Sequence, residues 1–488
     1  MKTLKDILYK VSIEAVEGST NQAFTDLHFD SRKVGLNDIF VAIKGTDADG
    51  HHYIKKAVDQ GAIAIVCEKF PELKINGVTY IQVKDTHEAL AYMASNFYDN
   101  PSSNLKLIGV TGTNGKTTVT SLLFQLFQKL GFATGLISTV KILIDNKEFP
   151  TQLTTPDSIT INKYLKQMQD AGVEYVFMEV SSHGIDQKRS LGLDFDVAVF
   201  TNLSHDHLDY HKTFEAYRDV KKQLFDQLKK TAYAITNIDD KNGEYMLQNT
   251  KAKKYTYALK SYADFKAKVI ENSFSGLHLK INEQDLWTKV IGEFNAYNLL
   301  AVYAVSNLME LDELESLKFL SQLQPVEGRF EHYKSSNEEI SAIVDYAHTP
   351  DALKNVLNTI NSIRTRNENV ITIVGCGGNR DKTKRPKMGK IASQLSDQVI
   401  LTSDNPRDED PEQIINDIEV GIEAQHQHKV LNITDRKEAI KTACKIAKAK
   451  DIILIAGKGH ETYQIIKGER RDFDDMEIVK SCLKQFKK

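Results

Sequence analysis

The sequence of 488 residues is poor in cysteine, in net charge and in long apolar segments. Its four cysteines lie far apart without a CxxC pair, which excludes a disulfide-stapled secreted scaffold and a cysteine-rich zinc site. The formal charge of −3 provides no overall basic field for binding a nucleic acid. Apolar runs such as Ala62–Cys67 and Ile452–Ala456 are too short to span a bilayer. We therefore expect a cytoplasmic protein with no membrane insertion and no nucleic acid partner.

The length predicts about three domains, at roughly 150 residues per domain. Polar turn clusters at Asn100–Asn104 and Gln324–Gly328 divide the chain into predicted domains 1–104, 105–325 and 326–488. In the second and third domains, short apolar runs alternate with amphipathic helical patterns, which is typical of α/β layers around mainly parallel sheets. Because such sheets bind ligands at the carboxyl ends of their strands, we expect the functional residues in the loops that follow strands.

A glycine-rich segment at Gly109–Thr118 follows a predicted strand and opens a predicted helix. Its glycines allow backbone amides to curl around phosphates, and the helix N-terminus adds a positive potential. Lys116 would reach the terminal phosphates of a nucleotide, and Thr117 would bind Mg²⁺. The spacing departs from the usual GxxxxGK[ST] pattern, because Val110 takes the usual glycine position and the glycine is shifted to Gly112. The alternative interpretation is a glycine-rich turn that caps a helix.

Two further segments carry groups that could bind a metal ion. The apolar run Tyr175–Glu179 ends in an acid, and a carboxylate beside a phosphate loop suits Mg²⁺. The segment His205–His211 contains three histidines and two aspartates within seven residues. This pattern fits a zinc site, or a polar loop with helix-capping residues. We favour one histidine that assists Mg²⁺, since the segment has no cysteine and the chain also carries a motif for a Mg²⁺-bound nucleotide.

Together these motifs resemble the Mur ligase family, the ATP-dependent amide-forming enzymes of peptidoglycan synthesis, over the whole chain. The similar segments are Gly112–Thr118 (GTNGKTT), Met178–Gly184 (MEVSSHG), Asn202–His211 (NLSHDHLDYH), Phe294–Asn298 (FNAYN), Glu327–Glu331 (EGRFE) and Asp345–Leu353 (DYAHTPDAL). The short phosphate loop is the form that this family uses. The resemblance implies an N-terminal UDP-binding domain, a central P-loop ATPase-like domain with a mainly parallel sheet and a C-terminal Rossmann-like α/β domain.

Three segments are similar to those of family members that add meso-2,6-diaminopimelate to UDP-N-acetylmuramoyl-L-alanyl-D-glutamate. Asp30–Arg32 lies in the domain type that binds the UDP end, and Leu153–Pro156 resembles a segment that contacts the UDP-sugar peptide. Asp404–Arg407 (DNPR) resembles the signature of the diaminopimelate-adding enzymes. The nearest alternative is the same ligation with L-lysine. The arginine position argues against it, because relatives that add L-lysine differ there.

The resemblance also implies three sets of ligand contacts. The ATP contacts are Gly112, Thr113, Asn114, Gly115, Lys116, Thr117, Thr118, Asn298, Arg329 and Asp345. The contacts of the UDP-muramoyl peptide are Ser31, Thr154, Thr155, Ser181, Gln187 and Arg189. The diaminopimelate contacts are Arg380, Asp404, Asn405, Pro406, Arg407, Gly457 and Glu461. Arg329 and Asp345 could equally form an interdomain surface, and Arg407 could be a solvated residue after a turn.

The catalytic residues implied by the resemblance are Lys116, His205 and Lys221. ATP would convert the D-glutamate carboxylate into an acyl phosphate, which the amine of the incoming amino acid attacks. Thr117 and Glu179 would hold one Mg²⁺, and His205 with a carbamylated Lys221 would hold a second. Carbamylation converts an ammonium into a carboxylate-like ligand, which gives a physical reason for a lysine beside a cation. We expect the neighbouring lysine at position 222 to be a solvated charge.

Three further alternatives remain at this stage. A folylpolyglutamate-type ligase is disfavoured by Asp30–Arg32 in a separate N-terminal domain, and a ligase that adds D-Ala-D-Ala is disfavoured by the DNPR segment. A nucleotide-dependent switch ATPase could use Gly115–Thr117 without any ligation, but the amino-acid-binding segments would then have no purpose. We expect a monomer whose partners are its substrates.

Overall fold

The computed structural model describes residues 2–45, 48–151 and 153–488 of the chain. Across these ranges the strands form sheets of five, eleven and six strands and a separate two-stranded ribbon. Each large sheet belongs to one of three α/β domains, so the predicted fold class is confirmed. The sheets span residues 13–83, 106–288 and 331–456. The exact domain boundaries at residues 104 and 325 stay a prediction.

The N-terminal domain is built on the five-stranded sheet. Its strands are β1 (Ile13–Glu17), β2 (Leu27–His28), β3 (Ile39–Val41), β4 (Ala64–Cys67) and β5 (Thr79–Val83), and its helices are α1 (Leu4–Ile7), α2 (Ile54–Asp59) and α3 (Thr86–Phe97). The spatial order is β1-β5-β4-β3-β2, with β1 antiparallel to β5 and the other pairs parallel. β3 and β4 are buried along their whole length, as expected for parallel strands covered on both faces.

The central domain holds the eleven-stranded sheet. Its strands are β6 (Lys106–Thr111), β7 (Thr134–Ile137), β8 (Ile142–Ile144), β9 (Lys147–Phe149), β10 (Tyr175–Glu179), β11 (Val197–Phe200), β12 (Tyr233–Asn237), β13 (Lys253–Ala258), β14 (Phe265–Ser273), β15 (Gly276–Ile281) and β16 (Gln284–Thr288). Its helices are α4 (Lys116–Lys129), α5 (Ser158–Asp170), α6 (Ser182–Asp186), α7 (Leu208–His211), α8 (Phe214–Asp226), α9 (Gly243–Met246), α10 (Glu293–Leu308) and α11 (Glu313–Leu320).

Strand β6 lies inside this sheet, with β10 and β11 parallel to it on either side. The full order is β16-β15-β14-β13-β12-β11-β6-β10-β7-β8-β9, and antiparallel pairs occur only towards the two edges. Helices α4 and α10 contribute to the apolar core on one face, and α5 and α8 to the core on the other. The carboxyl ends of β6, β10 and β11 therefore meet at one edge.

The C-terminal domain holds the six-stranded sheet. Its strands are β17 (Glu331–Lys334), β18 (Ser341–Asp345), β19 (Val370–Val374), β20 (Gln398–Leu401), β21 (Val430–Asn432) and β22 (Ile452–Ala456), followed by the ribbon β23 (Tyr463–Ile466) and β24 (Glu469–Asp472). Its helices are α12 (Pro350–Ile363), α13 (Lys384–Leu395), α14 (Pro411–Glu419), α15 (Arg436–Ile446) and α16 (Asp475–Gln485). The order is β17-β18-β22-β19-β20-β21, and only β17 is antiparallel to its neighbour. Within the described ranges, no helix combines the length and the apolarity that a membrane crossing requires.

A buried ion pair joins the last two helices of this domain. Arg436 at the start of α15 donates to both carboxylate oxygens of Asp475 at the start of α16, at 2.8 and 2.7 Å. Both side chains are fully buried. A third bond runs from Arg436 Nη2 to the carbonyl of Ala456, at the end of β22. The pair therefore fixes two helices against the strand that precedes a predicted binding loop.

We expect Asp475→Asn to lower the free energy of unfolding by about 3–5 kcal/mol, because it leaves a buried guanidinium without its carboxylate. The matched control is Glu469→Gln, which breaks the exposed pair with Arg471 and should cost at most about 1 kcal/mol. Urea unfolding followed by circular dichroism measures both variants. Equal midpoints for the two variants would contradict a stabilising role for the buried pair.

Candidate functional site

The loop between β6 and α4 is held in a conformation that requires glycine at two positions. Gly112 has a φ of +151°, and a Cβ there would lie 1.9 Å from Thr201 Oγ1. Gly115 has a φ of +89°, and its Cβ would lie 2.6 Å from Asn298 Oδ1. L side chains rarely adopt either conformation, so both glycines are needed on backbone and steric grounds. The loop is thereby packed closely against β11 and α10.

The loop is tied to the segment that follows β11 and to the C-terminal domain. The backbone amides of Thr113 and Asn114 donate to the carbonyl and the side-chain oxygen of Asn202, at 2.8 and 3.0 Å. The Thr113 hydroxyl shares a hydrogen bond of 3.1 Å with Tyr217. Asn114 Nδ2 donates to Asp351 Oδ2 of the C-terminal domain at 3.2 Å. These bonds fix the position of the loop at the junction of the two domains.

Lys116 begins α4 and folds back over this loop. Its Nζ donates to the carbonyls of Gly112 and Thr113 at 2.9 and 2.8 Å. Burial lowers the pKa of Lys116, while the nearby carboxylates of Glu179 and Asp206 act in the opposite direction. A cation enclosed at the N-terminus of a helix suits a phosphate ligand. The sequence-based interpretation as a phosphate loop therefore agrees with the local geometry.

A cavity of about 220 Å³ lies beside the loop, between the central and C-terminal domains. Of the predicted residues, its wall includes Thr113, Asn114, Gly115, Lys116, Thr117, Thr118, Thr154, Glu179, Asn298, Arg329 and Asp345. Tyr346 and His348, from the segment after β18 that was expected to face the nucleotide, are also on the wall, as are Asn202, Asp206, His207 and Phe294, which the sequence reasoning did not select as contacts. The predicted ATP contacts thus line this one cavity, apart from Gly112, which is not on its wall.

Arg329 and Asp345 lie both on the cavity wall and at the junction of two domains. Arg329 Nη2 donates to Thr117 Oγ1 at 2.9 Å, and its guanidinium carbon lies 4.5 Å from the ring centre of Tyr346. The carboxylate of Asp345 accepts the backbone amide of Phe330 at 2.7 Å, and burial raises its pKa to about 6. The two interpretations of these residues, nucleotide contact and interdomain surface, are therefore compatible.

The cavity wall carries hard oxygen ligands suited to Mg²⁺. Glu179 is fully buried at the end of β10, and its two oxygens accept the backbone amide and the hydroxyl of Thr139 at 2.8 and 3.1 Å. The hydroxyl of Thr117 and the carboxylate of Asp206 line the same space. Carboxylate and hydroxyl oxygens are the ligands that Mg²⁺ prefers, so this donor set fits the ion.

The structure does not bring His205 to the same wall. Its side chain is 43% exposed, and Nε2 lies 3.8 Å from Asp381 Oδ2 in the C-terminal domain. Its neighbours Asp206 and His207 line the cavity instead, and partial burial lowers the pKa of His207. The sequence motif contained all three residues, but spacing alone could not show which of them points inward. His205 as a metal ligand stays a prediction.

Lys221 lies beneath the phosphate loop and not on the cavity wall. It is 1% exposed, and its Nζ donates to the carbonyl of Gly112 at 2.8 Å. Burial and the nearby Lys116 lower its pKa well below the ordinary value. Lys222 differs, since its Nζ pairs with Asp226 at 2.5 Å. The prediction that Lys222 is a solvated charge is wrong, because that side chain is buried and ion-paired.

A larger cavity, of about 950 Å³, lies between the N-terminal and central domains. Its wall includes the predicted Ser31, Gln187 and Arg189, together with Asp30 and Arg32 from the segment around Ser31. It also includes residues that the sequence reasoning did not select as contacts, namely Phe29, Lys44, Tyr53, His87, Asp186 and Tyr210. Arg189 is braced by Gln187 Oε1, which accepts from Nε at 3.1 Å and from Nη2 at 2.6 Å. The space is large enough for a nucleotide-sized ligand.

Thr155 and Ser181 lie between the two cavities and do not appear on the wall of either. Thr155 is fully buried, and its hydroxyl donates to the carbonyl of Glu179 and accepts the amide of Ser181, both at 2.9 Å. Ser181 Oγ caps α6 by accepting the amide of Gly184 at 3.1 Å. Both hydroxyls are therefore occupied by backbone groups, and their predicted contact with a substrate stays a prediction.

The predicted amino-acid contacts meet at the carboxyl ends of β19, β20 and β22. Asn405 Nδ2 donates to Glu461 Oε2 at 2.7 Å, which joins the two loops. A Cβ on Gly457 would lie 2.6 Å from Asp404 Oδ2, so that close approach requires glycine. Pro406 and Arg407 complete the first loop. The sequence motif GKGHE also contained Lys458, which is fully buried within this group and was not selected.

Two arginines lie side by side at this place. A Cβ on Gly377 would lie 2.9 Å from Arg407 Nη1 and 3.8 Å from Arg380 Cγ. Arg407 Nη1 donates to the carbonyl of Gly378 at 2.8 Å, which orients its guanidinium. The arginines beside Gly377 and the carboxylates of Asp404 and Glu461 thus come from neighbouring loops that follow strands, and together they form a region that carries both signs of charge. Such a region suits a ligand that carries an ammonium and a carboxylate.

A phosphate loop at the edge of a parallel sheet, with a cavity shared between two α/β domains, defines the class of nucleotide-dependent enzymes. Comparison with known families narrows this class. Residues 24–98 match the model "Mur ligase family, catalytic domain", residues 110–306 match "Mur ligase middle domain", and residues 328–459 match "Mur ligase, glutamate ligase domain".

Individual relatives agree with these matches. A protein of Phocaeicola vulgatus named UDP-N-acetylmuramoyl-L-alanyl-D-glutamate–2,6-diaminopimelate ligase is 53% identical over 477 residues, which is 98% of each chain. A solved structure of a ligase with the same name has a TM-score of 0.69 and 33% identity, and covers 100% of this chain and 99% of its own. A MurF ligase from Thermotoga maritima in complex with ADP has a TM-score of 0.63 at 20% identity, covering 94% and 97% of the chains. The chain belongs to the Mur ligase family, and the prediction of an ATP-dependent amide-bond-forming ligase is confirmed.

We expect Lys116→Ala to abolish ATP-dependent ligation without unfolding the protein, because it removes the cation that folds back over the loop from the start of α4. Lys129→Ala, at the exposed end of the same helix, is the control and should keep normal turnover. Phosphate release and circular dichroism are measured for both variants. Normal turnover of folded Lys116→Ala would contradict the assignment of this loop to the terminal phosphates.

Proposed function

We propose that this protein uses ATP to join meso-2,6-diaminopimelate to the D-glutamate of UDP-N-acetylmuramoyl-L-alanyl-D-glutamate. The observation that carries this proposal is that two carboxylates, Asp404 and Glu461, and two arginines, Arg407 and Arg380, come together from the loops that follow β20, β22 and β19. The free end of diaminopimelate carries an ammonium and a carboxylate, which this pattern of charges would bind together. The name of the 53% identical relative supports the same substrate pair.

The nucleotide would lie in the smaller cavity, with its phosphates on the loop before α4. Lys116 and the amides at the start of α4 would bind the terminal phosphates, and Arg329 would add a cation from the C-terminal domain. Thr117 and Glu179 would hold Mg²⁺, which neutralises phosphate charge when bound. Catalysis of phosphoryl transfer then depends mainly on position and on charge neutralisation.

The UDP end of the acceptor would lie in the larger cavity, with Ser31, Gln187 and Arg189 as contacts. Its peptide would extend past α6 towards the smaller cavity, where the D-glutamate carboxylate would attack the γ-phosphorus of ATP and ADP would leave. The acyl phosphate that forms is then attacked by the amine of diaminopimelate, and phosphate leaves as the amide bond forms. Because the smaller cavity lies between two domains, their approach would exclude water from the acyl phosphate.

We propose that Lys221 is carbamylated. Burial and the nearby Lys116 lower its pKa, which favours the neutral amine, the form that adds to CO₂. The product is a carboxylate-like group beneath the phosphate loop, which would serve as a ligand for a second Mg²⁺ together with His205. We also propose that the enzyme acts as a monomer in the cytoplasm, where its nucleotide substrates are present.

A ligation assay with meso-diaminopimelate and L-lysine side by side tests the proposal. We expect amide formation and phosphate release only when UDP-N-acetylmuramoyl-L-alanyl-D-glutamate, ATP and diaminopimelate are all present. Equal ligation of L-lysine would favour a lysine-adding enzyme. Phosphate release that needs neither the acceptor nor an amino acid would favour a nucleotide-dependent switch.

We expect Arg407→Ala to reduce kcat/KM for diaminopimelate by about tenfold to a thousandfold, since loss of a charged hydrogen bond in a binding site costs about 2–5 kcal/mol. Use of L-lysine should not rise to match, because the substitution creates no contact for its ammonium. Arg471→Ala, which alters an exposed arginine of the nearby ribbon, is the control. Unchanged discrimination in Arg407→Ala would show that this arginine does not select the substrate.

We expect Lys221→Ala to lose most of its activity and to regain part of it when short carboxylic acids are added, because a carboxylate in solution can replace the carbamate. Lys222→Ala should show no such recovery, since Lys222 is ion-paired with Asp226. Carbon-13 NMR with labelled bicarbonate should give a carbamate signal in the wild type and not in Lys221→Ala. Full activity of Lys221→Ala without any additive would contradict the proposed role.

A further inference from the structure

The proposed mechanism gives no function to Lys458, whose side chain is more deeply buried than that of any other lysine in the described residues. Lys458 follows Gly457 after β22, and its side chain is fully buried. Its Nζ donates to Glu461 Oε2 at 3.0 Å and to Asn405 Oδ1 at 3.3 Å, and lies 3.9 Å from Asp404 Oδ1. Lysine is almost never fully buried unless it is paired, so its ammonium is held in place by these two carboxylates.

The two carboxylates in turn depend on this cation. Burial and the negative charge of Asp404 raise the pKa of Glu461, while Lys458 and Asn405 lower it. Like charges that share a partly buried site favour the neutral form of one of them. Without Lys458, Glu461 would therefore become protonated more readily or turn away from Asp404. The lysine therefore opposes the effects that raise the pKa of Glu461.

Hydrogen bonds also fix the orientation of Glu461. Asn405 Nδ2 and Lys458 Nζ both donate to the same oxygen, Oε2, at 2.7 and 3.0 Å. Oε1 is the oxygen that these two donors do not use, and it is available to a ligand. Asn405 Oδ1 accepts the amide of Ile465 at 2.9 Å, which ties the whole unit to β23. The carboxylate is therefore presented in one orientation from a rigid base.

We propose that Lys458 is a positioning residue for the amino-acid substrate, which holds Glu461 so that its Oε1 receives the ammonium at the free end of that substrate. The inference rests on the proposed function. Lys458 itself would not contact the substrate, because its ammonium would repel the incoming one. Arg407 and Arg380 lie beside Gly377 and would receive the carboxylate of the same end. The buried cation thus supports selection without taking part in the chemistry.

A double-mutant cycle separates this role from a merely structural one. The variants are Lys458→Met, Glu461→Gln and the double variant, and KM and kcat are measured for each with diaminopimelate, ATP and the UDP-linked acceptor. We expect Lys458→Met to raise KM for diaminopimelate about tenfold to a hundredfold, with kcat and the other two KM values little changed. The double variant should match Glu461→Gln alone, because Lys458 acts through Glu461.

Other outcomes overturn the inference. Effects that multiply in the double variant would show that Lys458 acts independently of Glu461, and equal changes in all three KM values would assign it to the fold. If Lys458→Met does not fold, Lys458→Gln, which keeps an N–H donor, replaces it, and failure of both to fold also assigns Lys458 to the fold. Wild-type enzyme that does not ligate diaminopimelate contradicts the proposed function, whereas an unchanged KM in folded Lys458→Met contradicts this inference alone.

Discussion

The parallel pairing of β6 with β10 and β11 is the constraint on which the nucleotide site depends. Gly109 of β6 pairs with Met178 of β10 and with Ala198 of β11, so the three strands end at the same level. The phosphate loop, Glu179 and the segment after β11 therefore leave the sheet together. The backbone at Gly109 also has no room for a side chain, since a Cβ would lie 2.7 Å from the ring of Phe195. The register of these three strands therefore brings residues that are distant along the chain close together in space.

A second constraint is the burial of two lysines under one carbonyl. Lys116 and Lys221 both donate to the carbonyl of Gly112, at 2.9 and 2.8 Å. Two ammonium groups so close in a buried site repel each other, and the more enclosed Lys221 loses its proton more easily. The loop before α4 and the lysine beneath it are therefore linked through one backbone carbonyl.

Contacts between neighbouring domains and between neighbouring loops position the remaining parts of the site. Lys188 of the central domain pairs with Asp85 and Glu88 of the N-terminal domain, at 2.9 and 2.8 Å, beside the larger cavity. On the other side, the loop of Lys458 packs against the start of the C-terminal domain, where a Cβ on Gly459 would lie 2.6 Å from the carbonyl of Gly328. The loop of Lys458 and the segment that carries Arg329 are therefore in direct backbone contact.

The sequence by itself determined the features that depend on local backbone geometry and on motif. The glycines at 112 and 115, the lysine at the helix start and the acid at the end of β10 could be predicted because their roles follow from their immediate neighbours. The α/β architecture could be predicted from alternating apolar runs. The amino-acid loops could be predicted only through family resemblance, because DNPR and GKGHE lie far apart along the chain.

Only the tertiary structure decided which side chains of an irregular loop face a cavity. Asp206 and His207 line the nucleotide cavity while His205 faces Asp381, although the three are consecutive. Lys458 takes two of its three partners, Asp404 and Asn405, from a loop more than fifty residues away in sequence. Lys222 is buried although its helix position alone suggested exposure. Burial and pairing are set by contacts between elements distant in the chain, and a linear pattern does not contain those contacts.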